Sequence, residues 1–130
     1  MLPLSEVQTA LVAALGPALA PVPVLDQVGP NQAYPYIALG EFVGDPADTL
    51  NEQGANLDVT VHVWSRQPGM QETQQLMTRV KDALDRQRLP AAGFQWVDTI
   101  WTNALTLREP DGITRHGVLR FTVQTFSPAA

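Results

Sequence analysis

A period of two in the apolar residues constrains the fold of this 130-residue chain more than any other feature. In segment 57–64 the apolar residues Leu57, Val59, Val61 and Val63 alternate with Asp58, Thr60, His62 and Trp64. Successive side chains of a strand point to opposite faces of a sheet, so this alternation predicts a β-strand with one buried face. A second layer must cover that face.

Two amphipathic helices are predicted, and they can form the covering layer. Between roughly Met70 and Gln87, apolar residues recur at three- and four-residue steps, and Leu89-Pro90 ends the pattern. A shorter helix is predicted to begin at Ser5, whose hydroxyl can cap the first turn, and to end at Gly16-Pro17. Its apolar face comprises Val7, Leu11, Ala14 and Leu15.

Further strands are predicted on both sides of the long helix. A short strand near Val22 to Val28 lies in a proline-rich stretch, which favours a sheet edge, and residues 36–43 form an apolar run. Segments 94–107 and 114–126 are rich in β-forming residues, and the turn residues Glu109-Pro110-Asp111-Gly112 lie between them. Strict alternation through 94–107 would place Trp101, Asn103 and Leu105 on one face.

The order helix, strand, strand, strand, helix, strand, strand predicts an α+β protein. We expect a mostly antiparallel sheet of four to five strands with a long C-terminal hairpin, packed against two helices on one face. A length of 130 residues suits a single domain that spans residues 1–130.

Segment 44–56 is predicted to be a mobile acidic loop. It contains Asp45, Asp48 and Glu52, and Leu50 is its only large apolar residue. Thirteen residues exceed the usual length of a hairpin connection. Two interpretations stay open: a solvated surface loop, or a segment that becomes ordered against a partner.

Charge divides unevenly along the chain, although the net charge is only −5. Residues 1–65 contain seven acidic residues and no basic one, whereas every Lys and Arg lies at or after Arg66. The oppositely charged halves can attract each other within one fold, or one half can attract the other half of the next copy. An acidic composition also argues against a nucleic-acid-binding protein, which needs clustered Lys and Arg.

The sequence contains no cysteine and no glycine-rich phosphate loop, zinc-protease motif or nucleophile elbow. His62 and His116 lie on different predicted strands and could meet across the sheet, but no third metal ligand is evident beside them. We therefore expect a structural role for the pair, with no catalytic residue, no metal and no cofactor. The alternative hypothesis is a small cytosolic binding domain or enzyme, monomeric or dimeric, with a pocket at His62 and His116.

Charged residues near the strand ends are candidates for contacts with a partner. The acids of segment 44–56 lack the spacing of a calcium-binding loop, which favours a solvated acidic surface. A guanidinium can bind a carboxylate through two parallel hydrogen bonds, so arginines elsewhere in the chain are natural partners for these acids. The candidate interface residues are Asp45, Asp48, Glu52, Arg66, Arg108, Asp111, Arg115 and Arg120.

We expect neither a targeting segment nor a membrane span. No Lys or Arg precedes the apolar stretch from Leu11 to Val24, as a signal peptide would require, and Pro17, Pro21 and Pro23 interrupt that stretch. The expected site of synthesis is the cytoplasm, with no membrane partner.

Three segments in a fixed order resemble those of a known family. They are residues 34–41 (YPYIALGE), 62–66 (HVWSR) and 108–121 (REPDGITRHGVLRF), with the long helix between the second and the third. Together they resemble the small tail-completion proteins of long-tailed phages, prophages and gene transfer agents. The resemblance extends over nearly the whole chain.

This resemblance implies a tail terminator, similar in role to that of phage lambda. Such a protein forms a ring, expected to be a hexamer, that caps the tail tube, ends its polymerisation and joins it to the head connector. The implied partners are other copies of the chain, the tail tube protein and the head–tail connector, with DNA only as cargo passing through the lumen. The implied location is the head–tail junction of a virion or particle tail, and the implied site of synthesis is the bacterial cytoplasm.

Overall fold

The computed structural model describes residues 1–128, which form two helices and one five-stranded sheet. The sheet order is β1-β2-β3-β5-β4; β1 runs parallel to β2, and all other neighbours are antiparallel. This arrangement confirms the predicted α+β class and the long C-terminal hairpin. The elements are α1 (Leu4–Leu19), β1 (Val24–Leu25), β2 (Tyr36–Pro46), β3 (Gly54–Ser65), α2 (Gln71–Leu84), β4 (Gln95–Arg108) and β5 (Arg115–Phe126).

The core lies between the helices and one face of the sheet, which we call the helix face. The four alternating residues of β3 that face this core are fully buried, as the period of two predicted, and both helices contribute to the same cluster. We call the opposite side the open face; it carries the other residues of β3, including His62 and Trp64. The helix-face residues of the central strands are Leu57, Val59, Val61, Val63, Leu119, Phe121 and Val123.

Helix α1 differs from the prediction at both ends. It begins at Leu4 after Pro3, and no side chain caps it; Ser5 lies inside the first turn, where its carbonyl accepts a hydrogen bond from Thr9 Oγ1 at 3.0 Å. The helix also continues through Pro17 to Leu19. A proline removes one backbone donor, but Leu19 is fully buried, and its packing holds the last turn in place.

The prediction of a loop over residues 44–56 is wrong in its bounds. Asp45 pairs with Asn56 and Pro46 with Ala55, so β2 and β3 continue into the segment and only residues 47–53 connect them. Ala55 is buried, which draws this part of the hairpin into the sheet. The seven-residue connection is closed by its own hydrogen bonds: Ala47 N–H donates to the Gly54 carbonyl and Thr49 N–H to the Glu52 carbonyl, both at 2.9 Å. Its mobility stays a prediction.

Strand β4 departs from strict alternation. Its register with β5 shifts between Trp96 and Asp98 and again between Trp101 and Asn103, which marks two irregularities of the β-bulge kind. Trp101 therefore lies opposite Phe121 on the helix face, whereas Asn103 lies opposite Arg120 on the open face. The prediction that these two residues share one face is wrong, because an extra residue between them reverses the alternation.

The short strand β1 confirms the predicted edge strand, and the segment after α2 covers the other edge of the sheet. Arg86, at φ 64°, donates its N–H to the Thr99 carbonyl at 2.7 Å. The Asp85 carboxylate accepts the N–H of Trp101 at 2.9 Å, and this hydrogen bond is the main cause that lowers the pKa of Asp85. These contacts occupy outward-facing backbone groups of β4.

Candidate functional site

The predicted interface acids lie together at one end of the sheet, which we call the acidic end. Asp45, Asp48 and Glu52 are exposed, and they lie at or next to the connection between β2 and β3. Asp48 Oδ1 accepts the N–H of Gly54 at 2.9 Å, so its carboxylate also closes the loop. At the tip, the side chain of Leu50 is completely exposed.

Three of the predicted arginines lie at the other end of the same strands, which we call the basic end. Arg66 follows β3, Arg108 ends β4 and Arg115 begins β5; the last two are directly opposite each other. Like charges opposite each other in a sheet repel, so this pair favours a carboxylate partner. β3 has twelve residues, which puts the two ends roughly 36 Å apart.

Asp111 lies at the basic end, but it acts within its own turn. Its carboxylate accepts hydrogen bonds from the N–H groups of Ile113 and Thr114 and from Thr114 Oγ1, at 2.9, 2.8 and 2.6 Å. These bonds, those from Thr114 first, lower the pKa of Asp111 to about 2. A 4.0 Å contact with Arg66 adds to them. With Glu109, the basic end holds three arginines and two acids.

Arg120 belongs to neither end. It lies in the middle of β5 on the open face, opposite Thr60 and Asn103, and its Nη1 donates to Asn103 Oδ1 at 3.1 Å. The eight predicted residues therefore occupy three separate places.

The ion pairs among the described residues do not join the acidic half of the sequence to the half that holds every base. In the part of the chain that the structure describes, three ion pairs join Lys or Arg to a carboxylate: Arg66–Asp111, Lys81–Asp85 and Arg86–Asp98. All three lie within residues 66–128, and none includes an acid from residues 1–65. Among the described residues, no Lys or Arg thus lies within ion-pair distance of an acid of the first half.

The two histidines meet on the open face, as their places on different strands allowed. His62 Nδ1 and His116 Nε2 are 2.7 Å apart. The outer nitrogens contact carboxylates: His62 Nε2 lies 3.3 Å from Glu41 Oε2, and His116 Nδ1 lies 3.1 Å from Glu109 Oε1. We call these four residues the histidine cluster.

Burial and charge set the protonation preferences of the histidine cluster. His116 is 8% exposed, and burial followed by repulsion from His62 lowers its pKa, although Glu109 opposes the shift. The pKa of Glu41 is lowered by its own backbone N–H first and by His62 second. Glu41 therefore stays ionised, and a positive charge on His116 is disfavoured.

An aromatic row runs from the histidine cluster to the basic end. The Trp64 ring stacks on His116 with 3.7 Å between centroids and 10° between planes. Tyr36 follows at 6.4 Å from Trp64, then Tyr34 at 5.1 Å from Tyr36, and the Arg66 guanidinium lies 4.3 Å from the Tyr34 ring. The stack fixes the orientation of the His116 ring.

Sequence reasoning found the histidines but missed both glutamates. Glu109 could have been found, because a hairpin closed around residues 109–114 brings positions 109 and 116 to the same end of the open face. Glu41 gives no such signal, since it lies within a register shift of β2, between Leu39 and Phe42.

Within residues 1–128 no three His, Asp or Glu side chains converge as metal ligands. The nitrogens of the two histidines all face another member of the cluster, so the hypothesis of a pocket built around them finds no support there.

A groove of about 400 Å³ lies between α2 and β4, lined by Met77, Lys81, Trp101 and Leu119.

None of the described helices combines the length and the apolar character that a membrane crossing demands.

Fold and site together define a small α+β structural domain with oppositely charged ends. The family model described as "Tail completion protein gp17" matches residues 6–125. The chain belongs to this family of tail completion proteins. It is a structural protein of a phage-type tail, and its location is the virion tail. The resemblance inferred from the three sequence segments is thereby confirmed.

Known relatives agree with this assignment. The tail completion protein gp17 of Bacillus phage SPP1 is 31% identical over 102 residues, which cover 77% of this chain and 75% of the relative. A solved structure of the SPP1 gp17 protein has a TM-score of 0.58 at 25% identity, covering 96% of this chain and 90% of that one. A chain in the virion of a native gene transfer agent particle shares the fold, with a TM-score of 0.84 at 21% identity and coverages of 95% and 96%.

Proposed function

We propose that the chain is a tail terminator. It assembles as a ring, in our proposal a hexamer, that caps the tail tube, ends its polymerisation and joins it to the head–tail connector. Membership of the tail completion family supports this role, as does the likeness to a chain of a gene transfer agent virion.

The observation that carries the proposal is the unpaired charge at the two ends of the sheet. The acidic end has Asp45, Asp48 and Glu52, and none of them contacts a Lys or Arg among residues 1–128. The basic end offers Arg108 opposite Arg115. Two unlike surfaces on one subunit favour a heterologous contact, the kind that closes into a ring when the rotation allows.

Apolar side chains at the tips of both ends support a contact of this kind. Leu50 is completely exposed at the acidic end, and Ile113 is 54% exposed beside the basic end. Interfaces commonly place apolar side chains at the centre of a charged rim. In our proposal the acidic end of each subunit lies against the basic end of the next.

The remaining partners follow from the proposed ring. One rim contacts the tail tube protein and the other the head–tail connector, which places the protein at the head–tail junction. DNA passes through the lumen as cargo, and an acidic lining would limit its adhesion. No membrane or cofactor takes part.

Charge reversal at both ends tests the proposal. We expect Arg108→Glu with Arg115→Glu to abolish ring formation in native mass spectrometry and to give tails of uncontrolled length in electron micrographs. Asp45→Lys with Glu52→Lys should do the same, and combining the four substitutions should restore assembly, because the charge complement returns.

Arg88→Glu is the matched control. Arg88 is exposed, follows α2 in the chain and belongs to neither set of charged end residues, so its reversal should leave rings and tails normal. Tails of normal length and normal DNA delivery from the Arg108→Glu, Arg115→Glu particle would contradict the proposal.

A further inference from the structure

The histidine cluster contains three close contacts between electronegative atoms. They join Glu41 to His62, His62 to His116 and His116 to Glu109, at 3.3, 2.7 and 3.1 Å. Each is a hydrogen bond only if a single proton lies between its two atoms. The cluster thus needs three protons.

Two neutral imidazoles beside two ionised carboxylates cannot supply three protons. Two neutral imidazoles bring two N–H protons, and two ionised carboxylates bring none. In the neutral pair one contact would therefore oppose two lone pairs. In the doubly charged pair both inner nitrogens would carry protons and face each other at 2.7 Å. Three hydrogen bonds form together only when the cluster holds one proton beyond the neutral complement.

The rings are not free to turn away from these contacts. Trp64 stacks on His116 at 3.7 Å, and His116 is buried. The His62 ring lies against the backbone at Gly40, in space that a Cβ at that position would fill. Only Glu41, with a side chain that is 75% exposed, can leave the cluster without moving a strand.

We propose that the His62–His116 pair is singly protonated in the folded subunit: it holds three ring N–H protons, and therefore one positive charge, between Glu41 and Glu109. This inference goes beyond the proposed function, because it concerns the isolated subunit and does not need a ring. The three hydrogen bonds of the pair link β2, β3, β5 and the turn between β4 and β5.

The groups that face the pair agree with this charge. Glu41 approaches from β2 and Glu109 from the turn after β4, and both are acidic. Arg120 of β5 acts on Glu41 from the same face, while Trp64 and Tyr36 are uncharged neighbours. Because burial disfavours charge on His116, the positive charge resides on His62: His62 donates to Glu41 and to His116, and neutral His116 donates to Glu109.

The site makes stability depend on pH in two directions. In acid the unfolded chain binds two protons on these histidines and the folded pair keeps one, so stability falls as pH drops below about 6.5, the usual imidazole pKa. Above about 6.5 the unfolded imidazoles lose their protons while the folded pair keeps one, so stability also falls as pH rises. The contribution of the pair is therefore largest near pH 6.5.

¹⁵N NMR of histidine-labelled protein tests the proposal directly, because it counts protonated ring nitrogens. We expect a plateau of three N–H protons on the pair, extending to both sides of the ordinary imidazole pKa of about 6.5. Two independent imidazoles would instead pass from four protons to two around a single midpoint near pH 6.5. A single transition of that kind would overturn the proposal.

Glu109→Gln provides a second test. The glutamine amide can donate to His116 Nδ1 and supply the third proton, so the pair can remain neutral. We expect the three-proton plateau to disappear and the two-proton state to extend to lower pH. Glu6→Gln, an exposed change of the same kind on α1, should keep the plateau. A plateau that persists in Glu109→Gln would also overturn the proposal.

Discussion

At the scale of single residues, Gly40 decides whether the histidine cluster can form. An added Cβ at this position would overlap His62 Nε2, the atom that contacts Glu41. A glycine in a strand commonly marks the close approach of another group, and here that group is an imidazole ring. The position therefore controls packing on the open face rather than backbone conformation.

Gly40→Ala is expected to push the His62 ring away from Glu41 and His116. We predict a loss of about 1–3 kcal/mol in the free energy of unfolding, measured with urea, because a tightly packed site must rearrange. Histidine ¹⁵N NMR should show that the plateau of three N–H protons on the pair is lost. Gly29→Ala is the control, since a Cβ there meets nothing within 4 Å and stability should change little. Unchanged histidine signals in Gly40→Ala would contradict the prediction.

The residues of the histidine cluster were only partly predictable from the sequence. The alternation around His62 and His116 placed both on strands, and hairpin register could have added Glu109. The contact of His62 with Glu41 depends on a register shift between Leu39 and Phe42, which no periodicity encodes. The proton count follows from distances, so it required the structure.

At the scale of elements, the turn between β4 and β5 is held by one carboxylate. Asp111 accepts three hydrogen bonds from Ile113 and Thr114, and Gly112 adopts a φ of 75° that favours glycine. The turn sets the register in which Arg108 lies opposite Arg115.

Asp111→Asn is expected to destabilise the hairpin at neutral pH, because the charged acceptor of all three bonds is lost. The pKa of Asp111 is lowered to about 2, so its stabilisation is fully present above the unfolded value near 3.8 and is lost as pH falls through about 2. Urea unfolding at several pH values should show the gap between variant and parent narrowing below pH 4. Asp82→Asn, exposed on α2, serves as the control; a gap that does not change with pH would contradict the prediction.

Element types were predictable, and their bounds were less so. Propensity and periodicity located both helices and all five strands. The ends of α1 and of the 44–56 segment depended on the burial of Leu19 and Ala55, which is a tertiary effect. The two irregularities in β4 reverse its alternation, and a sequence of uniformly β-forming residues does not reveal them.

At the scale of the whole molecule, the boundary at Arg66 coincides with the end of β3. The acidic half of the chain builds β1, β2 and β3 together with α1, and the half with every base builds α2, β4 and β5. Composition revealed the division, but it could not tell an internal from an external partner. The absence of Lys and Arg partners for the first-half acids among residues 1–128 favours an external one.

Leu50→Ser is expected to weaken assembly without affecting the fold. Leu50 is completely exposed, so stability should change by less than about 0.5 kcal/mol. If its side chain contacts the next subunit, native mass spectrometry should show fewer rings. Leu50→Met keeps an apolar side chain and should retain them. Equal ring formation by the parent and both variants would exclude Leu50 from the interface.

Both edges of the sheet are covered in part, which limits how free subunits can associate. On one side β1 is only two residues long, and on the other the backbone of β4 is engaged by Asp85 and Arg86. Exposed strand edges are the usual template for fibrous aggregation. Where β1 pairs with Ile37 and Ala38, and where Asp85 and Arg86 bind Trp101 and Thr99, no strand of another copy can pair, so these parts of the sheet do not template polymerisation of free subunits through their backbones.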